Sequence, residues 1–118
     1  MTKSLAVASA ISATVWAVVP STAQGQTLFR QRCAACHQID TTRNGAGPHL
    51  QSVIGRTAGS VEGFNFSPAL KSSGIVWSAE TLDVYLANPT AMVRGTRMNQ
   101  RFNNAGERKA IIDFLNSR

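Results

Sequence analysis

The chain has 118 residues, of which 12 are Lys or Arg and 6 are Asp or Glu, with only two cysteines and two histidines. That length suits one small domain, and the cysteine and histidine counts leave no room for a disulfide framework and disfavour a closed four-ligand zinc site. The net charge of +6 would suit nucleic acid, anionic lipid or an acidic protein, and composition alone does not choose among them.

At the N-terminus Lys3 supplies a positive end, Leu5 to Val19 an apolar run and Ser21-Thr22-Ala23 a small-residue cleavage site, the pattern of a secretory signal peptide over residues 1–23. The apolar run stops at Pro20, short of the roughly 18 or more residues that a spanning helix needs, so a retained anchor is the weaker alternative. Cleavage after Ala23 leaves residues 24–118, a marginal size for a core built of side chains alone. From Gln26 to Ala35 there is neither Gly nor Pro, which predicts a short helix carrying Leu28 and Phe29 into Cys33-Ala34-Ala35-Cys36-His37. Cys-x-x-Cys-His is the spacing of covalent haem attachment: two thiols reach both vinyl groups from one turn, and the next residue sets an imidazole under the iron. The alternatives are a disulfide and a redox dithiol, and no βαβ pattern surrounds the pair in favour of the latter.

Residues 38–63 hold Gly45, Gly47, Pro48, Gly55, Gly59 and Gly63 without helical or strand period, which predicts loop. So long a loop is compatible with a compact domain when it packs on a large apolar cofactor. Ser67 to Lys71 allows one helical turn with Pro68 at its start. Ser78 reads as the N-cap of a helix with Leu82, Tyr85 and Leu86 on one face, stopped by Asn88-Pro89. Asn104 and Glu107 resemble a capping box, ahead of a last helix with Ile111, Phe114 and Leu115 on its apolar face. Met92 and Met98 are the candidates for a second iron ligand. Met98 is favoured because Gly95, in Arg94-Gly95-Thr96-Arg97, permits the turn that aims a side chain back at the iron, whereas Met92 suits packing after Pro89.

The order of Gly47-Pro48-His49-Leu50, Ile54-Gly55-Arg56, Gly63-Phe64, Gly74-Ile75-Val76-Trp77, Tyr85-Leu86-Ala87-Asn88-Pro89 and Gly95-Thr96-Arg97-Met98 resembles the class I cytochromes c, nearest the mitochondrial and bacterial c2-type branch. The resemblance implies an all-α fold: three main helices with short turns and loops wrapped around one covalently bound haem c. It implies that Gly25 and Phe29 pack near Ile111 and Phe114, and that Cys33 and Cys36 hold the haem while His37 and Met98 ligate its iron. It further implies that the Pro48 carbonyl accepts the His37 Nδ1 proton, that Arg56 and Trp77 serve a buried haem propionate, that Tyr85 sits near the Met98 sulfur and that Thr96 bonds near the other propionate or the ligand loop. Phe66 and Leu70 depart from the family by replacing a common tyrosine and a common polar pocket residue. The position of Phe102 also departs from the usual aromatic spacing after the ligand, leaving its place at the haem open.

The function expected on this reading is that of a soluble, exported, periplasmic one-electron carrier without enzymatic chemistry, acting as a monomer in a respiratory or photosynthetic chain. Its partners would be acidic redox proteins: a reductase, an oxidase or a reaction centre. Arg30 and Arg32 before the motif, with Arg94, Arg97 and Arg101 around Met98, form two basic clusters suited to docking them. The alternatives are a subunit of a periplasmic dehydrogenase or sulfur-oxidising complex, and a peroxidase or gas-reactive haem protein with an open iron position. Stable membrane insertion is not expected, and export argues against nucleic-acid binding.

Overall fold

Pro20 determines where the first helix begins. Its carbonyl accepts from the N–H groups of Ala23 (3.0 Å) and Gln24 (3.2 Å), and helix α1 runs Ser21–Arg32 in a computed structural model that describes residues 2–10 and 20–118. The expected helix over Gln26–Ala35 is therefore corrected at both ends. It starts earlier because proline fixes its own φ and needs no N–H in the first turn. It stops earlier because the bonding gives way to turns after Arg32, with the Cys33 and Ala34 N–H groups both on the Phe29 carbonyl at 2.8 and 2.9 Å. The attachment motif is thus a turn rather than helix, closed by Cys36 N–H and His37 N–H on the Cys33 carbonyl at 3.1 and 2.9 Å. The expected cleavage point after Ala23 falls within the first turn of α1. Part of the apolar run expected as a signal, residues 11–19, lies outside the described residues.

Two short helices and one longer one follow. Ser67 caps α2 (Pro68–Lys71) by accepting the Leu70 N–H, with proline at the first position as expected. Ser78 caps α3 (Ala79–Ala87) in a reciprocal box, Thr81 N–H on Ser78 Oγ at 3.1 Å and Ser78 N–H on Thr81 Oγ1 at 2.8 Å. Asn88-Pro89 ends α3 as expected, but the same pair also starts α4 (Pro89–Met92), Asn88 accepting the Ala91 N–H. The last helix, α5 (Ala105–Asn116), takes its cap from Asn104, which accepts the Glu107 N–H at 3.0 Å. The expected capping box is only half present, because the Glu107 carboxylate is turned to Arg32 at 3.0 Å.

α1 crosses α5, and contacts along the two run in opposite senses: Gly25 lies on Ala110 and Arg32 pairs with Glu107. The expected meeting of Gly25 and Phe29 with the last helix is observed. A Cβ at Gly25 would stand 1.9 Å from the Ala110 carbonyl oxygen, and the Phe29 and Phe114 rings are 5.5 Å apart. Phe29, Ile111, Phe114 and Leu115 are buried there, each contributing roughly 1.5–3 kcal/mol. α3 packs on the same helix, with Arg108 Nε on Asp83 at 2.7 Å. Gly25→Ala is expected to push α1 off α5 and cost about 3 kcal/mol or more. In a domain of this size that lowers the melting temperature by roughly 12 °C or more, readable by far-UV circular dichroism. An unchanged midpoint would mean that the helices do not meet at this residue.

Between α1 and α2 the chain forms turns, and the one β-bridge among the described residues joins Thr57 to Val76. Trp77 is fastened there: its N–H donates to the Arg56 carbonyl at 2.9 Å and its carbonyl accepts from Gly55 at 2.7 Å. The helices and this loop layer enclose a cavity.

Candidate functional site

The cavity, about 370 Å³, collects residues from every part of the chain. Cys33, Cys36, His37, Pro48, Arg56, Trp77, Tyr85, Thr96 and Met98 all line it, and Val53, Leu70, Phe66 and Ile111 make much of the rest apolar. Met92 does not line it and packs against the core instead. Gly95, at φ +89°, makes the turn before Met98 that the sequence predicted.

His37 is oriented by two neighbours. Its Nδ1 lies 2.6 Å from the Pro48 carbonyl oxygen, which can only accept, so Nδ1 carries the proton and Nε2 keeps the available lone pair. Gly47 lies flat behind the ring, where a Cβ would come within 2.4 Å of Cε1, so any larger residue displaces the imidazole. Burial pushes the His37 pKa down, partly opposed by the Pro48 bond, which keeps the ring neutral. Burial also pushes the Cys33 thiol up to about 11, against the pull of Arg32. A thiol held protonated is a poor thiolate donor, and the two cysteines are free rather than joined.

Tyr85 and Thr96 are partners. Their hydroxyl oxygens are 2.6 Å apart, and burial raises the phenol pKa so that it remains a donor. Thr96, expected near a propionate or the ligand loop, thus has the Tyr85 hydroxyl as its hydrogen-bond partner. Arg56 is held by loop carbonyls, Nη1 donating to His49 O at 2.8 Å and Nη2 to Gln51 O. The Trp77 indole N–H donates to no protein acceptor among the described residues, although the ring is 8% exposed and lines the cavity.

Three residues have parts in the site that their sequence does not assign. Phe102, 1% exposed, lines the cavity and is strapped by its N–H to the Leu86 carbonyl at 2.9 Å. Its signal was an apolar aromatic isolated between the ligand loop and the last helix. Asn44 ties two loops together, donating to Glu62 O at 3.1 Å and accepting the His49 N–H at 3.0 Å. Arg97 reaches across to the Asn65 carbonyl. All five arginines of the expected basic clusters, Arg30, Arg32, Arg94, Arg97 and Arg101, are exposed, and two of them also bond within the chain, Arg32 to Glu107 and Arg97 to the Asn65 carbonyl.

Known proteins resemble this sequence and share this fold. The family model described as Cytochrome c matches residues 22–118. The chain belongs to the cytochrome c family. It is 40% identical to cytochrome c2 of Rhodomicrobium vannielii, over 96% of this chain and 94% of that one. It is 44% identical to cytochrome c 2.1 of Caenorhabditis briggsae, over 78% and 83%. Among solved structures it is similar to cytochrome cH from Methylobacterium extorquens, at 36% identity and a TM-score of 0.76, covering 82% of this chain and 98% of that one.

The fold is thus the class I cytochrome c fold, and the chain is a single-haem electron carrier with covalently bound haem c rather than an enzyme. The residues fit that cofactor. Two free cysteines and an imidazole with one committed nitrogen adjoin an apolar cavity, and an unpartnered indole N–H and a half-buried guanidinium suit its carboxylates.

Proposed function

We propose that Cys33 and Cys36 would form the thioether links, that His37 Nε2 and the Met98 sulfur would ligate the iron, and that Arg56 and Trp77 would receive a haem propionate. When bound, the haem supplies a reversible one-electron couple between ferrous and ferric iron. The chain's part is to hold both ligands alike in the two states, so that little moves when the electron arrives. The observation that carries this reading is that Met98 lines the same cavity as His37 while Met92 does not. The fixed His37 tautomer supports it further, since a hydrogen bond at Nδ1 strengthens Nε2 as a donor to metal. A soft sulfur beside imidazole in the ligand set would favour ferrous iron and a moderately high potential.

The carrier is exported to the periplasm after cleavage following Ala23, and works as a monomer between acidic redox proteins of a respiratory or photosynthetic chain. Exposed Leu5 and Val7, together with Lys3, support reading this segment as a leader. Among the described residues no helix is long and apolar enough to cross a membrane. Exposed Arg30, Arg94 and Arg101 supply the docking charge. Reduction by an acidic partner is expected to slow steeply between low and physiological ionic strength, because the Debye length falls from about 30 Å at 0.01 M to about 8 Å at 0.15 M. Stopped-flow rates independent of salt would remove the docking face. The intact mass of the exported protein tests the leader, the expected chain opening at Gln24.

A further inference from the structure

His49 is the one imidazole of the chain besides the proposed axial ligand, and the cytochrome reading leaves it without a role. It sits directly against a charge that borders the haem cavity. The Arg56 guanidinium, which lines that cavity, donates from Nη1 to the His49 carbonyl at 2.8 Å, and its Nη2 lies 3.4 Å from His49 Nδ1. The same residue therefore receives Arg56 through both backbone and ring. The His49 N–H is in turn fixed on Asn44 Oδ1 at 3.0 Å, so the ring is presented by a pinned backbone.

We infer that His49 is a positioning residue for Arg56 and that its protonation state is coupled to the oxidation state of the haem iron. Neutral His49 offers Nδ1 as an acceptor and holds the guanidinium in place. Protonated His49 turns Nδ1 into a donor facing a group that cannot give up its own proton, so an acceptor is lost and a second positive charge appears beside the cavity. Positive charge there disfavours ferric iron relative to ferrous. By reciprocity, ferric iron makes the His49 proton harder to hold.

The surroundings leave His49 as the group to carry this coupling. Arg56 faces it from the neighbouring loop, Asn44 and the Gln51 carbonyl are uncharged, and no carboxylate bonds either His49 or Arg56 among the described residues. Of the other ionisable groups lining the cavity, Arg32 is paired with Glu107, Arg97 is bonded to the Asn65 carbonyl, the Tyr85 phenol is pushed up by burial, and the two cysteines are spent on the haem in this reading. Burial and then Arg56 lower the His49 pKa below 6.5, which places the window in mildly acidic solution. The direction follows: the midpoint potential rises as pH falls through that window, and is level above it.

The inference rests on haem occupying this cavity, so retention of haem colour by the denatured chain is checked first and separates that failure from this one. Spectroelectrochemical titration of the wild type and of His49→Asn from pH 4.5 to 8 then tests it. The wild type is expected to show the acid-side rise, and His49→Asn, which keeps a neutral acceptor, to lose it while retaining the high-pH potential. His49→Leu, without an acceptor, is expected to shift the high-pH potential as well. Proton NMR of the His49 ring is expected to give a lower pKa in ferric than in ferrous protein. A rise that survives in His49→Asn belongs to a haem carboxylate and overturns the coupling, as does a wild-type potential that is flat with pH. Equal His49 pKa values in the two oxidation states overturn it independently.

Discussion

The Cys33→Ala/Cys36→Ala double variant, purified without haem, is expected not to hold this fold. A mostly apolar cavity of about 370 Å³ without its occupant exposes Val53, Phe66, Trp77, Tyr85 and Phe102 to water or to a void. Each such side chain stabilises by roughly 1.5–3 kcal/mol when buried, so their joint loss is comparable with the whole stability of an ordinary small domain, about 5–15 kcal/mol. Side chains cannot relax to fill it, because Val53, Phe66, Trp77, Tyr85 and Phe102 are each anchored in separate segments whose other faces pack elsewhere. Far-UV circular dichroism and gel filtration should therefore report an expanded chain of low helicity. A cooperative thermal transition like that of the haem protein would show that side chains alone sustain the core.

Met98→Ala acts on function rather than on folding. Covalent attachment is untouched, so the haem stays, but the iron loses the soft ligand that favours its ferrous state. The midpoint potential is expected to fall by a sizeable share of the roughly 0.8 V over which axial ligands set haem potentials. The weak ferric absorption band near the red edge of the visible, characteristic of methionine ligation, should vanish with it. Met92→Ala, whose side chain packs against the core away from the cavity, is expected to keep both potential and band. Loss of the band in Met92→Ala with retention in Met98→Ala would reverse the assignment.

The parts of the molecule legible in its sequence are those whose signals are local. Ser78 and Asn104 announce α3 and α5 because a cap and an apolar stripe lie within a few residues of each other. Gly95 and Met98 are legible because a turn and its load are adjacent. The start of α1 is hard to read because Ser21-Thr22-Ala23 carries no apolar period, and the contacts that hold it come from the Pro20 carbonyl behind and, at Gly25, from Ala110 far ahead. Glu107 was assigned to its own helix cap because local spacing cannot reveal Arg32, which arrives from the other end of the chain. The fastenings of the loop layer were invisible for a related reason. Asn44 and Arg97 bond backbone carbonyls of Glu62 and Asn65, and a carbonyl leaves no trace in residue identity.

The crossing at Gly25 and Ala110 also imposes an order of events on maturation. Helix α1 and the attachment turn precede α5, the surface they pack on, by about 70 residues, so an exported chain delivers them first. Until α5 is complete, Cys33, Cys36 and His37 belong to an open chain and remain accessible to whatever machinery delivers the cofactor. Closure between such distant segments is slow relative to local helix formation. The topology therefore gives the C-terminal helix the closing role: the attachment turn gains its packed surroundings only when α5 docks on α1.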